Sequence, residues 1–155
     1  LEGNGGNGGF MFMGRFYHRL DENGRLIMPS KLCQTLSKYE IEELVVTTGL
    51  DSCLFVFPLP EWEKIGERLR EKSLTNRDTR AFNRKFHADA ITCRLDPQKR
   101  LTLLSHLKDH AKLNKEIVTI GVGNRIEIWD RSLWEEQEEQ ISSSYEELAE
   151  EALGI

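Results

Sequence analysis

The chain carries one unit twice, and this duplication restricts its fold more than any other feature. Leu20-Asp21-Glu22-Asn23-Gly24-Arg25-Leu26 returns 75 residues later as Leu95-Asp96-Pro97-Gln98-Lys99-Arg100-Leu101. Upstream, Arg19 falls on Arg94, while Phe16, His18 and Leu20 fall on Ile91, Cys93 and Leu95. Downstream the offset is 72: Leu54-Phe55-Val56-Phe57 falls on Ile126-Glu127-Ile128-Trp129, and Trp62 on Trp134. The second copy is therefore three residues shorter, as a trimmed loop would make it. Repeats of this kind bury their apolar faces against each other, so two copies imply one shared core.

Each copy reads as strand, turn, strand, short helix, strand, turn, strand. Residues 15–20 alternate, with Phe16, His18 and Leu20 on one face and Arg15, Tyr17 and Arg19 on the other. Asp-Glu-Asn-Gly then supplies hairpin turn chemistry, with Gly24 free to take a positive φ. Leu26-Ile27-Met28 returns as a strand, which Pro29 stops ahead of a helix over about residues 30–37. Residues 44–48 and 54–57 make a second hairpin, and Gly121 to Asn124 is its turn in the second copy. In that copy Lys99 replaces Gly24 and Leu104 replaces Pro29, so its first turn is expected to be built differently. Residues 61–86 carry a helical pattern with a break near 73–76, and residues 132–153 predict one acidic helix striped with Trp134, Ile141, Tyr145, Leu148 and Ala152. The glycine-rich stretch 1–10 reads as a tag or flexible lead. The expected divisions are therefore repeat 1 at 15–61, a helical linker at 62–89, repeat 2 at 90–133 and an acidic tail at 134–155.

Composition narrows the function classes. With 39% hydrophobic and 30% charged residues in 155, a soluble globular chain is expected, and no apolar run reaches the ~20 residues of a membrane helix. Three isolated cysteines, Cys33, Cys53 and Cys93, fit buried thiols in the cytoplasm better than disulfides. The net charge of −5 hides an uneven distribution. Residues 130–155 hold nine acids against Arg131, whereas residues 11–129 hold 20 Lys and Arg against 16 Asp and Glu. A mildly basic body with an acidic tail is compatible with a polyanionic partner.

The duplicated Asp-x-x-x-Arg is the chief candidate for chemistry. Asp21 and Asp96 are turn residues, able to close each turn by pairing with the following arginine. Arg25 and Arg100 occupy equivalent, outward positions, with Arg19 and Arg94 expected beside them. Such a pseudo-twofold guanidinium set suits phosphates and guanine edges. The two aspartates also resemble a shared-proton protease dyad, but the arginine after each would hold it ionised, and no enzyme is expected. Cys93-x12-His106-x3-His110 has the spacing of half a zinc site, yet Ala88, Asp89 and Ala90 stand where a partner cysteine belongs, so no metal is expected. Gly121-Val122-Gly123-Asn124 leads into a strand, which makes it a turn and not a phosphate loop. No cofactor motif is present. Arg77, Arg80, Arg84 and Lys85 form a basic run of weaker interest, spaced as on a solvated helix face.

Residues 20–29 closely resemble the signature of SpoVT/AbrB-type swapped-hairpin domains, which are bacterial DNA-binding modules. Two copies in one chain, together with Met11-Phe12-Met13-Gly14, Phe57-Pro58-Leu59-Pro60-Glu61-Trp62 and Ile126-Glu127-Ile128-Trp129-Asp130, resemble the MraZ family. The resemblance implies an α+β, mainly β fold: a pseudo-twofold swapped-hairpin β-barrel of two interlocked repeats with linking and C-terminal helices. It also implies a cytoplasmic, nucleoid-associated transcriptional regulator. Its expected partners are double-stranded DNA, at short G-rich direct repeats upstream of the division and cell-wall gene cluster, and itself, in an octamer-like ring. The family's DNA-contacting arginine corresponds to Arg25, with Arg100 its counterpart. The outward-face argument adds Arg15, Arg19, Lys31 and Arg94, while Asp21, Gly24 and Asp96 shape the turns. A protein-interaction or assembly module without specific DNA binding is the competing expectation.

Overall fold

The computed structural model describes residues 11–72 and 74–155; the lead at 1–10 and Ser73, inside the expected linker break, lie outside the described residues. The first repeat contributes β1 (Phe12–Arg19), β2 (Arg25–Ile27), α1 (Ser30–Lys38), β3 (Leu44–Thr48) and β4 (Leu54–Pro58). Helices α2 (Leu59–Arg70) and α3 (Arg77–Ala88) follow. The second repeat contributes β5 (Ile91–Cys93), β6 (Arg100–Thr102), α4 (Ser105–His110), β7 (Glu116–Gly123) and β8 (Arg125–Asp130). The chain ends with α5 (Arg131–Ser143) and α6 (Tyr145–Leu153). Helix α4 has six residues against nine in α1, which accounts for the shorter second copy.

Strand order shows how the repeats share one core. The main antiparallel sheet runs β1-β7-β8-β4-β3-β5, and β2 pairs with β6 in a separate two-stranded ribbon. Exchanging the repeats turns this order into its own reverse. The pseudo-twofold axis passes through the Phe55–Glu127 partners, where β4 meets β8, and through Leu26–Leu101, where β2 meets β6. The turns at 21–24 and 96–99 therefore do not close local hairpins. Each sends its two strands to different partners in the other repeat, β1 to β7 and β2 to β6, then β5 to β3. The fold class expected from the sequence stands: mixed α and β, antiparallel, and built from two interlocked repeats.

Period-two alternation divides the sheet's residues between two apolar clusters. Leu44, Val46, Leu54, Val56, Ile117, Ile126 and Ile128 face Leu26 and Leu101 of the ribbon and Leu32, Leu36 and Leu107 of α1 and α4. Phe55, Phe57, Val118 and Trp129 face the opposite way, against Trp62, Ile65 and Leu69 of α2, Phe86 of α3, and Leu133 and Trp134 of α5. The central strands are covered on both faces, hence their continuous apolar runs. Gly121 has a steric reason: a Cβ there would lie 2.3 Å from the backbone nitrogen of Met13 on the paired strand β1.

Two sequence expectations need correction. The C-terminal helix is not continuous but breaks at Ser144 (φ −132°, ψ 25°). Trp134 belongs to the second cluster and Tyr145 and Leu148 stand exposed, so the expected single stripe is divided. The turn of the second repeat, moreover, is built like the first. Gly24 has φ 73° and Lys99 has φ 63°, so lysine simply takes the left-handed conformation that glycine takes in the first copy. The hydrogen bonds match as well: Arg25 O accepts from Asp21 N at 2.8 Å, and Arg100 O from Asp96 N at 3.0 Å.

Candidate nucleic-acid interface

A three-residue strand has few ways to present side chains, and β2 and β6 use alternation fully. Leu26 and Leu101 point inward and are buried, so Arg25, Ile27, Arg100 and Thr102 share the outer face of the ribbon. Arg25 lies opposite Thr102, and Arg100 opposite Ile27. The two arginines are diagonal neighbours, about 7–8 Å apart at the backbone for such a pair. Ile27 between them is 62% exposed, a large apolar side chain held in solvent.

Each arginine is fixed by its own turn. The Asp21 carboxylate accepts from Asn23 N (2.8 Å) and Arg25 N (2.9 Å) through Oδ1, and from Arg25 Nε (2.9 Å) through Oδ2. Asp96 repeats the pattern with Gln98 N (2.9 Å), Arg100 N (2.8 Å) and Arg100 Nε (2.7 Å). The arginine backbone amides chiefly, then the guanidiniums and the neighbouring amides, hold both carboxyls below the ordinary aspartate range. The two acids are thus ionised separately, each by its own arginine. In each guanidinium only Nε is engaged. Among the described residues the Nη groups of Arg25 and Arg100 donate no hydrogen bond, while both side chains remain 28% exposed. Closing the turn and presenting a donor pair are therefore compatible roles for one arginine.

The other sequence candidates are dispersed. Arg19 Nη2 pairs with Glu116 at 3.2 Å, and Arg94 with Glu42 at 3.0 Å and Glu43 at 3.7 Å. Arg19 is the last residue of main-sheet strand β1 and Arg94 follows β5, so neither is on the ribbon. Arg15 is held by Glu138 of α5 and lies 5.6 Å from the Trp134 ring. Lys31 is exposed near the start of α1, without an ion pair among the described residues, and it lines with Ile27, Met28 and Lys99 a groove of about 730 Å³ beside the ribbon. Gly24 faces Lys108 and Leu103 of the other repeat, where a Cβ would meet Lys108 Nζ at 2.7 Å. Ile27, Thr102 and Lys99 went unmarked in the sequence. Burial of Leu26 and Leu101 would have placed the first two outward by the same alternation.

The remaining candidates do not assemble a reactive centre. His106 Nε2 lies 3.1 Å from Asp89 O, and His110 Nε2 lies 3.3 Å from Gly49 O. Cys93 packs against the first apolar cluster, and burial pushes its thiol up to about 11. Among the described residues no three His, Cys, Asp or Glu side chains gather as a metal site.

Comparison with known proteins agrees with the internal repeat. The family described as "MraZ protein, putative antitoxin-like" matches the chain twice, over residues 11–85 and 86–155. The Transcriptional regulator MraZ of Natranaerobius thermophilus is 46% identical over 141 residues, covering 91% of this chain and 96% of that protein. That of Caldanaerobacter subterraneus subsp. tengcongensis is 45% identical over 140 residues, covering 90% and 95%. That of Heliobacterium modesticaldum is 44% identical over 143 residues, covering 92% and 97%. With both halves matched and the relatives aligned over nearly their whole length, this chain belongs to the MraZ family.

Proposed function

We propose that this chain is a sequence-specific DNA-binding transcriptional regulator, acting as a ring-shaped homo-oligomer on short direct repeats upstream of the division and cell-wall gene cluster. Its relatives carry the name transcriptional regulator, and the ribbon supplies a physical means. A two-stranded antiparallel ribbon fits the major groove, where bidentate arginine reads guanine O6 and N7. The observation that carries this reading is the pseudo-twofold arginine pair, fixed through Nε by Asp21 and Asp96 with the Nη donors unused.

In this reading repeats 15–61 and 90–133 carry the DNA surface, and segments 62–89 and 134–155 serve assembly. Arg25 and Arg100 read bases. Lys31, Arg15, Arg19 and Arg94 contact phosphate, the arginines by exchanging their carboxylate partners for DNA oxygens. The protein is a binder, not an enzyme, and works in the cytoplasm on the nucleoid. No helix among the described residues is long and apolar enough to cross a membrane.

Gel shifts on the upstream region of its own gene cluster test the proposal. Arg25→Ala should cost roughly 1–3 kcal/mol per engaged site and flatten preference at one base position. Arg19→Ala should weaken binding evenly across sequences and lower the salt slope by about one. An Arg25→Ala protein that folds and binds the operator like wild type would refute the assignment.

A further inference from the structure

The chain's most basic and most acidic helices lie on opposite halves of one sheet. Helix α5 leaves β8 and crosses β7 towards the edge strand β1. Its Arg131 reaches Glu116 at 3.3 Å and lies 5.0 Å from the Tyr17 ring, and its Glu138 holds Arg15. Helix α6 therefore begins beyond the β1 side. Helices α2 and α3 pack on β4 and β3, in the other half.

Helix α6 is without cover. Every residue of it except Ala149 is exposed, including Tyr145 (65%) and Leu148 (50%). Tyr145, Leu148, Ala149 and Ala152 form a stripe at i, i+3, i+4 and i+7, flanked by Glu146 and Glu151. Nine residues are too few for an isolated helix to be stable in water, so packing must supply the difference. A groove of about 420 Å³ stands open on the other half, lined by Leu50, Ile65, Leu69 and Phe82 with Arg68, loosely paired to Glu61 at 3.7 Å and still largely exposed, and Arg125, paired to Glu127 at 2.8 Å. Leu50 is 59% exposed there. The groove is apolar with arginines beside it; the helix is apolar with glutamates beside it. Packing of α5 on β7 and β8 keeps α6 away from the groove of its own chain.

We propose that α6 of one copy docks into the α2–α3 groove of the next, head to tail. The inference rests on the self-assembly proposed above and names the surfaces that produce it. A donor at one side and an acceptor at the other form a heterologous contact, which closes into a ring when the rotation between copies allows it.

The test is a mixing experiment read by light scattering after size exclusion. Leu148→Asp spoils the donor alone and Leu50→Asp the acceptor alone, with Arg68→Glu as a second acceptor variant should Leu50→Asp melt early. Each variant by itself should run at the 17.9 kDa subunit mass, and an equal mixture should give a discrete species of twice that mass, from one intact donor and one intact acceptor. A Leu148→Asp protein that assembles like wild type, or a mixture that stays at the subunit mass, overturns the docking while leaving assembly by another surface in place. A wild-type chain that is itself monomeric overturns both.

Discussion

At the residue scale, one aspartate oxygen organises each turn and the other organises the arginine that follows. Because the folded state depresses both carboxyl pKa values, this contribution is present above the ordinary aspartate range and is lost as pH falls below it. Lys99 holds φ 63° where its counterpart is Gly24. The left-handed region costs an ordinary residue roughly 1–2 kcal/mol, against roughly 0.5–1 kcal/mol for the extra freedom glycine loses on folding. Lys99→Gly should therefore stabilise the chain by about 0.5–1 kcal/mol in a urea melt. A destabilised variant would mean that the lysine side chain contributes more than its backbone costs. His18 gives a second residue-level expectation. Its Nε2 lies 2.7 Å from Thr119 Oγ1, and burial lowers its pKa. The unfolded chain protonates this ring first, so its share of the stability is complete above about pH 6.5 and drains away below it. Melts from pH 7.5 to 5 should show this loss, and His18→Gln should remove that part of the pH dependence.

At the element scale, turn chemistry was legible in the residues themselves, whereas the exchange of strand partners was legible only through the family resemblance. Asp21 to Gly24 announced a reversal, but no residue in the turn states that β1 and β2 will pair elsewhere; that outcome depends on register across the whole repeat. The helix break was legible in principle, since Ser142-Ser143-Ser144 before Tyr145-Glu146-Glu147 carries the serine-to-glutamate spacing of a helix start. The stripe of apolar residues running through it masked that signal. The equivalence of the two arginines could be read from the repeat alone, whereas their separation from Arg19 and Arg94 required the swap. The ribbon hangs on its inner pair: Leu26 and Leu101 are buried where the axis passes. Leu26→Ala should cost about 2–5 kcal/mol and reduce DNA binding beyond what the lost stability explains, because Arg25 and Arg100 share that platform. Chemical denaturation alongside binding at a temperature where the variant is folded checks this; unchanged affinity in a destabilised protein would uncouple ribbon from function.

For the whole molecule, symmetry and asymmetry have separate uses. The pseudo-twofold repeats generate a matched pair of outward arginines from one short motif, while the linker and tail, which lack counterparts, give the chain two unlike ends. In the function proposed above, a ring of such chains on tandem repeats would multiply modest contacts through effective concentration, so a small loss per site would become a large loss on the operator. The central claim is that the ribbon brings Arg25 and Arg100 to guanine edges in the major groove. Dimethyl sulfate protection of guanine N7 across the upstream repeats measures that contact most directly. Wild-type protein should shield a guanine in each repeat, and Arg25→Ala, assembled and loaded at concentrations that restore occupancy, should leave that guanine reactive. Full occupancy by wild type with every guanine still methylated, or protection by Arg25→Ala identical to wild type, would contradict it.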